Sequence, residues 1–203
     1  LLSQVDASVG GKTGIDLDNV KNIIGTFTQP QAVFISTQFL QTLDDRQFLS
    51  GFAEVIKHGL IQDKSLYETC KSVDLENISA DIIYRSVEIK NSVITQDPTE
   101  KGLRKILNFG HTIGHAIEGY SLFNDEKPLL HGEAIAIGMI CEAWLSNKFT
   151  GLTDEALTDI TNTFLLKYPK YSYTQEQYHV FVDLMKNDKK NEDNKIGFAL
   201  LKD

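Results

Sequence analysis

From Thr42 to about residue 188 the apolar positions recur three and four apart, a helical period, and the chain reads as mainly α. Asp44 or Asp45 caps a first helix running to about His58, with Phe48, Phe52, Val55 and Ile56 on one apolar stripe and Gly59 as its stop. Further helices are expected at about 64–72, 79–96, 103–119, 131–148, 153–166 and 174–186. Before residue 44 the pattern is mixed: 1–5 is a β-like run, 21–25 a loop, and 32–35 a short buried strand between Pro30 and Ser36. Residues 196–201 read as a last strand, after a basic, solvent-facing turn at 185–191. Polar breaks at 97–102 and 123–128 bracket the helix that carries His111 and His115.

Composition narrows the class of function. A chain of 203 residues, 41% hydrophobic and 24% charged, has apolar area for a real core in one large domain or two small ones. The net charge of −8 comes from scattered acids, which argues against nucleic acid and anionic membranes as partners. No run of 18 apolar residues occurs and no secretory leader is visible, so no membrane span is expected. Cys70 and Cys141 do not make a disulfide framework, and a reducing, cytoplasmic setting is expected. Because the chain opens on Leu1 as if in mid-fold, a fragment is expected, with any nucleotide-binding βαβ unit upstream; no G-x-G-x-x-G occurs here.

Candidate chemistry centres on His111 and His115, which stand four apart and project from one helix face. Thr112 follows the first histidine, so the H-E-x-x-H protease pattern is not met. Asn108, Gly110 and Gly114 accompany the pair, with Ile106, Phe109, Ile113 and Ile117 on the apolar side. Glycines inside a helix cost about 1 kcal/mol each, so a close approach is expected to require them. Glu54 lies in an apolar stretch with Lys57 and His58 one turn on, which favours a buried carboxylate with a partner or a metal. His131 follows a loop and opens an apolar helix, from where it could fold back over His111. One carboxylate and two imidazoles on separate helices leave a fourth coordination position open, as in a catalytic metal site. Gly10-Gly11-Lys12-Thr13 fails the Walker A pattern because Asp6 stands where its first glycine belongs. The turn either offers N–H groups and a lysine to an anion or is a tight turn with a solvated Lys12. Lys12, Lys57 and Lys90, with Glu100, Asn108 and His115, suggest an anionic, polyhydroxylated substrate.

The blocks VDASVGGKTGI at 5–15, KNIIGTF at 21–27, GFAEVIK at 51–57, LNFGHTIGHAIE at 107–118, LHGEA at 130–134 and DKKN at 188–191 resemble the 3-dehydroquinate synthase family, in order along nearly the whole chain. The resemblance implies a remnant of a nucleotide-binding α/β domain at 1–43 and a helical metal- and substrate-binding domain at 44–203. It also implies conversion of a seven-carbon keto-sugar acid phosphate to 3-dehydroquinate, with NAD recycled in each turnover and a divalent zinc or cobalt ion. By that resemblance Glu54, His111 and His131 ligate the metal. Asp6, Lys12, Lys21, Phe39, Leu40, Gln41 and Thr42 contact NAD. Lys12, Lys57, Lys90, Asn108, His115 and one of Lys189 or Lys190 bind substrate. Glu100, Lys57, Asn108 and His115 take catalytic roles, His115 as proton relay rather than ligand. A homodimer is implied as well. Other sugar phosphate cyclases, metal-dependent polyol dehydrogenases and a non-catalytic helical metal-binding module are the competing readings.

Overall fold

A computed structural model describes residues 2–17, 20–73, 78–186 and 195–202. Strands β1 (Lys12–Leu17) and β2 (Val20–Phe27) form an antiparallel hairpin in which Lys12 faces Phe27 and Ile15 faces Ile24. Seven α-helices follow among the described residues: α1 (Asp45–Gln62), α2 (Lys64–Ser72), α3 (Ala80–Gln96), α4 (His111–Asn124), α5 (His131–Phe149), α6 (Asp154–Lys167) and α7 (Gln175–Lys186).

Helix α1 is central, packing on α2, α3 and α5, and its Phe52, Ala53, Val55 and Ile56 are fully buried. Asp44 caps it by accepting from Arg46 N and Gln47 N, which satisfies two of the donors that a helix start leaves open. The helix runs past Gly59, where a stop was expected, and ends at Gln62. Gly59 is explained by packing instead: a Cβ there would lie 2.7 Å from the backbone nitrogen of Tyr67 on α2. Arg46 grips the start of α5, donating from Nε and Nη2 to both oxygens of Glu133 at 2.7 Å and from Nη2 to the Pro128 carbonyl at 2.7 Å.

Helix α4 packs on α5 and α7. The helix expected at 103–119 is broken: Leu103–Asn108 is a 3-10 turn, Gly110 adopts φ +80°, and α4 begins at His111. Other expectations also fail. Residues 2–5 form a 3-10 turn that buries Leu2 and Val5 against α1, and 21–25 belong to β2. Residues 32–35 form no strand and pair with none among the described residues, and Phe34 is 96% exposed. No strand forms at 196–201. That segment bridges α4 and α5 through Thr112 Oγ1 donating to Gly197 O (2.9 Å) and Leu201 N donating to Ser146 Oγ (2.9 Å).

Candidate metal and substrate site

Three helices deliver the site. Glu54 stands in the buried middle of α1, whereas His111 and His131 are the first residues of α4 and α5. Glu54 Oε1 lies 3.5 Å from His111 Nε2 and 3.4 Å from His131 Nε2, and it is buried without a hydrogen-bond partner. The second oxygen of Glu54 pairs with buried Lys57. His111 Nδ1 faces the Phe109 carbonyl at 3.1 Å, so a proton there leaves the Nε2 lone pair turned toward Glu54. One oxygen and two nitrogens converging on one point suit zinc or cobalt, and the unpartnered Glu54 oxygen is the observation in favour of that fit. His115 joins from one turn further along α4, its ring 5.2 Å from that of His111 and 5.7 Å from that of His131.

The electrostatics act differently on the three groups that meet here. Burial by itself would raise the Glu54 carboxyl, but Lys57, His111 and His131 outweigh it and hold it well below the usual carboxylate range. Burial, and then Lys57, push the His111 imidazole well down, which keeps it neutral and able to ligate. His131 goes the other way: burial lowers it, yet Glu118 and Glu54 together lift it to about 9.

Around this point lie further polar groups. Lys90 pairs with the Asp6 carboxylate at 2.7 Å and donates to its carbonyl. Asp6 and Glu54 share a cluster with His58, whose Nδ1 is 2.6 Å from Ser86 Oγ and whose Nε2 is buried without a partner. On the outer side Lys12 pairs with Glu100, and Glu100 accepts from Asn108 Nδ2 at 2.7 Å. Glu100 holds φ +62°, a left-handed conformation that costs a non-glycine residue about 1 kcal/mol or more. Glu100 and Asn108 also line a cavity of about 780 Å³, to whose wall Lys195 and residues 197–202 contribute.

Of the proposed cofactor contacts, Asp6 and Lys12 stand beside this network. Phe39, Gln41 and Thr42 are exposed on and after the 3-10 turn Thr37–Leu40. Leu40 does not face outward with them and packs into the main core, because the turn needs one apolar anchor. Lys21 lies on β2, and Lys189 and Lys190 fall outside the described residues.

Several contributors escaped the sequence reading. Glu142 on α5 accepts from Gly110 N (2.8 Å) and Ile113 N (3.3 Å), capping α4 from a neighbouring helix where Gly110 has no side chain to do so. Arg104 is buried and donates to the Gly10 and Pro98 carbonyls. Glu118 meets His131, and its spacing of seven from His111 was a usable signal.

Buried His58 gives a pH prediction. Burial, and then Lys57, lower its pKa to about 4, below the unfolded value of about 6.5. The unfolded state therefore binds the extra proton first. Stability is full above about pH 6.5 and falls by about 3 kcal/mol as pH drops to about 4. Urea midpoints measured from pH 7 to 4 are expected to decline accordingly, with a shallower decline in His58→Leu; equal slopes would count against a buried, neutral His58.

Comparison with known proteins places this geometry. A solved 2-deoxy-scyllo-inosose synthase, complexed with carbaglucose-6-phosphate, NAD+ and Co2+, matches with TM-score 0.79 and 28% identity over 98% of this chain and 57% of its own. A 2-epi-5-epi-valiolone synthase from Streptomyces hygroscopicus subsp. jinggangensis, with NAD+ and Zn2+ bound, matches with TM-score 0.67 and 25% identity over 91% and 54%. These define a class of synthases solved with NAD+ and a divalent metal. The family model described as 3-dehydroquinate synthase C-terminal covers residues 51–191, and that described as 3-dehydroquinate synthase N-terminal covers 1–50. The 3-dehydroquinate synthases of Parabacteroides distasonis and Helicobacter pylori (strain G27) are each 43% identical over all of this chain and 58% of their own length. The chain belongs to the 3-dehydroquinate synthase family, and it spans somewhat more than half the length of the curated relatives it matches.

Proposed function

We propose that this chain supplies the metal- and substrate-handling part of a 3-dehydroquinate synthase, converting 3-deoxy-D-arabino-heptulosonate 7-phosphate to 3-dehydroquinate and phosphate. The observation that carries the reading is the convergence of the unpartnered Glu54 oxygen with Nε2 of His111 and His131, amid Lys57 and Lys90. When bound, a zinc or cobalt ion lowers the pKa of a substrate hydroxyl, and NAD takes up and returns a hydride.

The chain's own residues do the rest. Glu54, His111 and His131 hold the ion. Lys57, Lys90 and Lys12, with Lys189 or Lys190, bind the carboxylate and phosphate of the substrate. Asn108 and Glu100, already joined by a hydrogen bond, orient its hydroxyls, and His115 passes a proton at a ring nitrogen. Asp6, Lys12, Lys21 and residues 39–42 face NAD, Leu40 through its backbone. In this reading residues 1–43 are the remnant of the nucleotide-binding domain and 44–203 the helical domain. The enzyme acts in the cytoplasm as a homodimer, with neither nucleic acid nor membrane as partner. No described helix is long and apolar enough to cross a membrane.

The 43% identity to 3-dehydroquinate synthases, against 25–28% to the two other synthases, favours this substrate over theirs. Phosphate release from the heptulosonate phosphate by the full-length protein, with NAD and zinc, is the test. His111→Ala is expected to lower release about a thousandfold, the loss of several kcal/mol of charge stabilisation. Net accumulation of NADH without phosphate would move the assignment to a polyol dehydrogenase. No release by the metal-loaded protein would move it to another cyclase.

A further inference from the structure

The two histidines facing Glu54 are fixed to very different degrees. The His111 side chain is 11% exposed and its Nδ1 is tied to a backbone carbonyl two residues away. The His131 side chain is 40% exposed and opens α5, whose start Glu133 caps by accepting from Leu130 N. Arg46 and Glu133 hold the backbone of that helix start, but neither touches the imidazole. Ring rotation about χ2 would turn Nε2 away from Glu54; the rings of His111 and His115 pack beside it at 5.5 and 5.7 Å, but such contacts do not select which nitrogen faces Glu54.

Glu118 is the group that opposes it. It lies on the same face of α4 as His111 and His115, and its Oε2 is 3.3 Å from His131 Nδ1. The opposite edge of the same ring, Nε2, is 3.4 Å from Glu54 Oε1. One imidazole thus has a carboxylate beside each nitrogen, from α4 and α1, and the hydrogen bond that holds it is the one between Nδ1 and Glu118. A proton on Nδ1 directed at Glu118 leaves the Nε2 lone pair for an ion, and a carboxylate on the far nitrogen strengthens the ligand as a base. We propose that Glu118 is a positioning residue of the metal site, fixing the tautomer and orientation of His131. This rests on the assignment of Glu54, His111 and His131 as metal ligands.

The test compares zinc affinity, by chelator competition, and the visible d–d spectrum of the cobalt-loaded protein in Glu118→Ala, Glu118→Gln and the unsubstituted protein. Circular dichroism and thermal unfolding of the metal-free forms run in parallel. Glu118→Ala is expected to weaken zinc binding 10- to 100-fold with an altered cobalt spectrum, the usual size of an outer-shell loss. Glu118→Gln, whose amide oxygen still accepts from Nδ1–H, should fall between and remain folded even if the alanine variant does not. Affinity within twofold of the unsubstituted protein in Glu118→Gln and in any folded Glu118→Ala, with an unchanged spectrum, would overturn the proposal. That holds even if thermal stability drops, since a strut between α4 and α5 would do only that. If the unsubstituted protein and Glu54→Ala alike take up no cobalt, the metal assignment itself falls and takes this role with it.

Discussion

Glu54→Gln is expected to abolish zinc binding and, in the metal-free protein, to lower unfolding free energy by about 3–5 kcal/mol, the cost of leaving one member of a buried ion pair alone. The Lys57 side chain is 2% exposed, and its ammonium is paired with Glu54. An amide there offers one neutral oxygen in place of a charge, so the buried lysine loses the carboxylate it is paired with. Zinc titration calorimetry and urea unfolding separate the two effects. Glu54→Leu combined with Lys57→Met removes both charges and should recover most of the stability while binding no zinc. An unchanged urea midpoint in Glu54→Gln would mean that the pair is not buried as described.

Gly138→Ala is the second large effect. At the α4–α5 crossing a Cβ on residue 138 would collide with the Gly110 carbonyl oxygen and lie 2.7 Å from Gly114 N, both backbone atoms that cannot rotate aside. The helices must part, at a cost of about 3 kcal/mol, the upper end for overpacking. Because Gly110 directly precedes His111, zinc affinity should fall in the same variant. Gly119→Ala on α4 is the control: nothing lies within 4 Å of a Cβ there, and the change should raise stability by up to about 1 kcal/mol. If both substitutions proved equally mild, the close approach would be refuted.

Much of this was legible in the chain because it depended on local pattern. Asp44, Ser79 and Thr153 each cap a helix whose start the periodicity marked to within a residue or two. Glu54 was marked for burial by its apolar neighbours, and it is 4% exposed. What stayed hidden depended on partners distant in sequence. Residues 32–35 have the composition of a buried strand but no strand to pair with among the described residues. Gly59 looks like a helix stop yet serves the contact with Tyr67, and Gly110 is the real interruption because only its positive φ turns the chain into α4. The caps and clamps of the site, Glu142 on Gly110 and Glu118 on His131, join helices whose mutual placement no spacing rule supplies.

The ligand atoms differ in how firmly they are anchored. Glu54 is set in the middle of α1, whereas His111 and His131 ride on the first turns of α4 and α5, each preceded by an irregular stretch of backbone. Small shifts of a helix end cost far less than shifts of a buried helix centre. As the proposed ligands, Glu54 and the buried His111 are the fixed members, and the more exposed His131 is the one adjustable arm that would accommodate ions of differing radius. Exchange of one divalent ion for another should then proceed by local opening of the first turn of α5, at rates well above that of global unfolding.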